Sequence, residues 1–123
     1  MLLALVALVL RLWDLDGRTM HYDEAIHVHF AWKLAQGKEF IHSPWMHGPF
    51  QVELTGLIFA IFGDTEFTAR IAYVLFGTAL VGLPYFLRDH IGRTGALISA
   101  VMLTISPTLL YFSRFGRNDI LMA

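Results

Sequence analysis

Two long apolar runs, Ala69–Leu87 and Thr94–Phe112, leave this chain few ways to fold. Each approaches the ~20 residues that cross a hydrocarbon core as a helix. In lipid a backbone must satisfy its own polar groups, so both runs are predicted to be helical. Pro84 stands near the end of the first, and Pro107 predicts a kink in the second. With 56% hydrophobic residues and a mean hydropathy of +0.57, a small water-soluble domain is a poor fit. The net charge of -1 leaves no broad basic surface for nucleic acid, and the absence of cysteine excludes disulfides, thiolate zinc sites and a thiol nucleophile.

The turn between the two runs, residues 88–93, carries Arg88 and Arg93 and is predicted to be a cytoplasmic loop by the positive-inside tendency. Residues 14–68 and 113–123 then share the outer side. Residues 1–13 read as a first span, short because its beginning is missing. With neither a basic n-region nor an A-x-A-like site, this run reads as an anchor and not as a cleaved signal peptide. Ile120-Leu121-Met122-Ala123 opens another apolar stretch, so the chain reads as the N-terminal part of a larger multi-span protein. Within the outer segment, Asp23–Gln36 is predicted as a surface helix with Ile26, Phe30 and Leu34 forming its apolar stripe and Gly37 its stop. Pro49 opens a second helix, Pro49–Phe62, too short to span comfortably, and Gly63 ends it. Asp64 or Thr65 caps the next.

The chemistry-bearing residues crowd into that outer segment. His21-Tyr22-Asp23-Glu24 joins two acids to one of several histidines, with His27, His29, His42 and His47 nearby. Ionisable groups at a membrane edge are costly and usually functional. One of two neighbouring carboxylates can serve as a general base while the other stays ionised, although acids at a helix start also complement its dipole. Glu24-x-x-His27 has the spacing of one metal half-site, so a divalent metal is possible; interfacial histidines in contact with substrate are the alternative. Arg114 and Arg117, three apart, would share a helix face that suits a phosphate, with Asp119 beside them. The plainer alternative is snorkelling to headgroups. Tyr22, Trp32 and Trp45 fit an aromatic belt or a sugar platform.

In order, His21-Tyr22-Asp23-Glu24-Ala25, His47-Gly48-Pro49-Phe50, Phe62-Gly63-Asp64-Thr65-Glu66-Phe67-Thr68-Ala69-Arg70, Ser106-Pro107 and Ser113-Arg114-Phe115-Gly116-Arg117-Asn118-Asp119 form a pattern. It resembles the start of GT-C membrane glycosyltransferases of the protein O-mannosyltransferase and aminoarabinose-transferase type. More narrowly, it resembles the flippase-activity-associated membrane proteins. The resemblance runs over nearly the whole chain, which would be about the first quarter of a complete member. It implies an all-α, multi-span, GT-C-like protein of the plasma membrane with two juxtamembrane helices in its first outer loop. It implies transfer of a sugar from a polyprenyl-phosphate carrier to a protein or lipid-linked glycan acceptor on the outer face. Asp23 then corresponds to the general base, with Glu24 beside it. His47 stands nearest to a basic residue that faces the carrier phosphate, and Arg114, Arg117 and Asp119 shape the donor pocket with His27 near the substrate. Two other functions fit the same residues: a non-catalytic helper that holds lipid-linked sugars during export, and a metal-dependent membrane hydrolase built on Glu24 and the histidines.

Overall fold

The computed structural model describes residues 2–38, 41 and 49–122. His42, Trp45 and His47 lie outside the described residues. Those described form six helices and no strand: α1 (Leu2–Leu12), α2 (Tyr22–Ala35), α3 (Pro49–Phe62), α4 (Glu66–Phe86), α5 (Arg88–Ile105) and α6 (Pro107–Phe112). A 3-10 turn follows at Asn118–Ile120. α4 is central, touching α1, α3, α5 and α6, while α2 packs along α3.

Local chemistry explains most boundaries. His21 Nδ1 accepts the Asp23 amide at 3.3 Å, and the Glu24 carboxylate reaches back to the His21 amide at 3.4 Å. The start of α2 is thereby capped from both sides. Its end is a Schellman motif: Gly37, at φ +64°, donates to the Leu34 carbonyl and Lys38 to that of Lys33. Pro49 opens α3 and Gly63, at φ +88°, closes it. Thr65 and Thr68 exchange side-chain and backbone hydrogen bonds at the start of α4.

α2 does not lie free on a surface along the predicted stripe. Its buried residues are Glu24, His27 and Ala31, whereas Ile26 is exposed and Phe30 and Leu34 only flank the core. An ion pair made by Glu24 rotates the helix and draws a polar edge inward. Gly56 of α3 allows the close approach, because a Cβ there would meet the Ala31 carbonyl oxygen at 3.2 Å. The core around Ala31, Val52, Phe59 and Ala69 joins α2, α3 and α4, and a second around Ala72, Tyr73 and Ile120 continues beneath the 3-10 turn.

The predicted loop at 88–93 is helical. α5 begins at Arg88, with a break at Gly92 (φ 75°, ψ 160°), since nothing in Arg88-Asp89-His90-Ile91 stops a helix despite its polarity. The predicted run Thr94–Phe112 divides at Ser106, as Pro107 foretold. Pro107 brings no N–H to the Leu103 carbonyl, and Arg11 fills that place, donating Nη2 to Leu103 O at 3.3 Å. Arg11 is fully buried and also donates to Ala7 O at 3.1 Å. The lone charge in an aliphatic helix therefore satisfies a carbonyl, 92 positions away in the chain, that a proline leaves without its helical donor. Among the described residues α4 is the one helix long and apolar enough to cross a membrane. Large apolar side chains cover the exterior, including Leu57, Ile61, Leu75, Leu97 and Met102.

Candidate active site at the start of α2

Four pieces of chain converge at one end of the bundle: the segment after α1, the first turn of α2, the first turns of α4, and the turn after α6. Glu24 is at their centre, with no exposed surface. Its Oε1 accepts Arg70 Nε at 2.7 Å and the Gly116 amide at 3.0 Å. Oε2 accepts Arg70 Nη2 at 3.2 Å and Arg18 Nη2 at 3.4 Å, besides the His21 amide. Arg70 is equally buried. It donates further to the Leu15 carbonyl at 2.7 Å and the Arg18 carbonyl at 3.1 Å, and lies 3.5 Å from Glu66. A carboxylate with so many donors is held in place.

Asp23 is one residue away and in a different setting. Almost half exposed at 45%, it meets Arg117 Nη1 at 3.4 Å, and Arg117 Nε lies 3.6 Å from Asp119. The helix turns neighbouring side chains about 100° apart, so one acid of the pair enters the core while the other opens to the surface. Gly116 sets the distance between these two layers. Its N–H goes to Glu24 and its carbonyl accepts Gln51 Nε2 at 2.8 Å, while a Cβ there would lie 3.0 Å from Glu24 Cγ.

Arg114 and Arg117 do not share a helix face. α6 ends at Phe112, and the turn that follows sends the two arginines to different partners. Arg114 Nη2 donates to the carbonyls of Trp13 at 2.6 Å and Asp14 at 2.9 Å, closing the end of α1 where Asp14 takes φ +50°. Arg18 lies over the rings of Tyr111 and Phe115, at 5.5 and 5.2 Å from their centroids. Beside it a cavity of about 300 Å³ is lined by Leu15, Arg18, Pro107, Leu110, Tyr111 and Arg114.

The structure thus brings together Asp23, Arg117 and Asp119, and places Arg114 on the neighbouring cavity. His27 is buried one turn beyond Glu24, away from the open side, and His47 lies outside the described residues. Glu24 turns toward Arg70 instead of completing a metal half-site. Among the described residues no three His, Asp or Glu side chains converge on a point that could hold a metal. Arg18 and Arg70 had no role assigned from sequence. The available signal was a guanidinium one turn into an apolar helix, which needs a buried anion.

Among the described residues the chain is all-helical, with an apolar exterior and an acid–arginine cluster at one end, an arrangement that suits a membrane protein. The chain belongs to the dolichyl-phosphate-mannose-protein mannosyltransferase family, whose model matches residues 46–123, well over half of it. This is a family of membrane-embedded glycosyltransferases. The match covers α3 onward, including Arg70, Arg114, Arg117 and Asp119, and begins after Asp23 and Glu24. No curated protein and no solved structure matches the chain.

Proposed function

We propose that this chain forms the catalytic end of a glycosyltransferase that moves a sugar from a polyprenyl-phosphate carrier to a protein hydroxyl. The observation that carries the assignment is the division of labour within Asp23-Glu24: Glu24 is saturated by two guanidiniums and two amides, and Asp23 is open. Asp23 is the general base. It takes the proton of the acceptor hydroxyl as that oxygen bonds to the anomeric carbon with inversion. The bond from that carbon to the phosphate oxygen breaks, and its electron pair leaves on the polyprenyl phosphate. Arg117 and Asp119 position Asp23. Arg114 and Arg18 face the carrier phosphate across the small cavity, whose leucines and Pro107 suit the first isoprene units. His47, outside the described residues, is assigned to the same phosphate on the sequence resemblance alone, and His27, buried on α2, supports that helix.

In this reading α1, α4 and the α5–α6 pair are spans of a multi-span membrane protein. α2 and α3 are juxtamembrane helices, and the Asp23 end is on the outer face of the plasma membrane. The two apolar helices shorter than a span, Leu2–Leu12 and Pro49–Phe62, take different places: the first runs along α4 and α5, the second pairs with α2.

The test is transfer of radiolabelled mannose from its polyprenyl phosphate in membranes that contain the intact protein, wild type beside Asp23→Asn. Loss of transfer in a variant that still folds and inserts is expected. Wild-type transfer by Asp23→Asn would remove Asp23 as base. Donor binding without transfer by either protein would favour a helper that carries lipid-linked sugars.

A further inference from the structure

At the opposite end of the bundle, α1, α4 and α5 surround an open groove of about 860 Å³. Its walls are apolar, with Leu3 from α1, Val81 and Gly82 from α4 and Leu97 from α5, yet Arg88 and Arg93 line it too. Two arginines five positions apart point roughly 140° away from each other on an unbroken helix. They reach one groove because α5 breaks between them at Gly92, in a backbone conformation (φ 75°) that side chains rarely adopt. Arg88 packs 4.1 Å from the Tyr85 ring centroid and 3.8 Å from the exposed Asp89 carboxylate. Among the described residues Arg93 has no carboxylate within ion-pair distance.

We propose that this groove holds an anionic diacyl phospholipid, its phosphate between Arg88 and Arg93 and an acyl chain along Leu3, Val81 and Leu97. The charge is complementary, and guanidinium forks suit phosphate oxygens. The volume falls within the ~300–1,000 Å³ of small-molecule sites. Leu97, 58% exposed, needs an apolar cover. A further protein helix would cover the leucines but would leave the Arg93 guanidinium without a counter-charge. Basic pockets between spans are a recognised way to hold lipid headgroups. The site is separate from the Asp23 cluster, and the inference rests on membrane embedding and not on the transfer reaction.

The experiment is native mass spectrometry of the intact, detergent-purified protein given equimolar phosphatidylglycerol and phosphatidylcholine, with a parallel arm that adds undecaprenyl phosphate. Wild type is expected to retain phosphatidylglycerol roughly 30-fold over phosphatidylcholine. The double variant Arg88→Ala/Arg93→Ala should lose that preference. Gly82→Phe should lose retained lipid altogether, because Gly82 lines the groove, a Cβ there meets nothing within 4 Å, and the added ring takes up groove space. Both variants should keep any sugar transfer the wild type shows. Equal retention of both lipids, no retained lipid in wild type, full retention by Gly82→Phe, or displacement by undecaprenyl phosphate would each overturn the proposal.

Discussion

Glu24 Oε1 lies 2.7 Å from Arg70 Nε, and neither side chain has any exposed surface. This contact ties the first turn of α2 to α4 across 46 positions of chain. Through Gly116 it also locates the turn that carries Arg117. The end of the bundle that carries Asp23 is organised around a buried ion pair that does no chemistry in the proposed reaction.

Removing one partner of such a pair leaves the other charge buried alone, which costs about 3–5 kcal/mol. Glu24→Ala and Arg70→Ala are therefore expected to lower the thermal unfolding midpoint of the purified protein sharply. Arg70→Lys should rescue little, because a single ammonium cannot replace a fork that also holds the Leu15 and Arg18 carbonyls. Unfolding curves of the three variants beside wild type check this, and a wild-type midpoint for Arg70→Ala contradicts it.

Asp23→Asn and Arg117→Ala should behave in the opposite way. The pair is half-exposed and 3.4 Å apart, so its contribution to stability is about 1 kcal/mol or less. Loss of Asp23, the proposed base, is expected to cut sugar transfer by about 10²–10⁴-fold. Measured together, unfolding midpoint and transfer rate should separate: unchanged and collapsed for Asp23→Asn, both reduced for Glu24→Ala.

Gly116→Ala tests the spacing between the two acids. The added Cβ lies 3.0 Å from Glu24 Cγ, and that side chain is fixed by Arg70 and cannot retreat. A loss of about 1–3 kcal/mol is expected, smaller than for Glu24→Ala. A Glu24→Ala/Gly116→Ala double variant should be no less stable than Glu24→Ala alone, since the clash has gone. Additive losses in that cycle would place the effect of Gly116 elsewhere.

Arg11→Met should destabilise α1 against α5 by about 1–3 kcal/mol, the cost of a buried carbonyl left without its donor. The loss is expected to shrink when Pro107→Ala restores an N–H near Leu103 O. A double-mutant cycle measures the coupling, and a coupling energy of zero would remove Arg11 from the proline break.

Short-range chemistry made much of this architecture legible. Pro49 and Gly63 bound α3 as read, Gly37 stops α2, and Pro107 divides the last apolar run, because each acts on backbone dihedrals within a few residues. Asp23 was marked by its cost near a membrane, and Arg117 and Asp119 by a spacing that suits a phosphate. The stripe of α2 and the shared face of Arg114 and Arg117 misled, since both assumed that helical spacing alone decides which side faces inward.

The sequence by itself determined the helical class, the breaks set by Gly37, Pro49, Gly63 and Pro107, and the acids and arginines available for chemistry. Only the tertiary structure decided their surroundings. Which acid is buried, which arginine caps α1, and why Arg11 and Arg70 tolerate burial depend on partners 46 to 101 positions away. A charge in an apolar interior is stable only where such a partner meets it, and local propensity carries no information about that meeting.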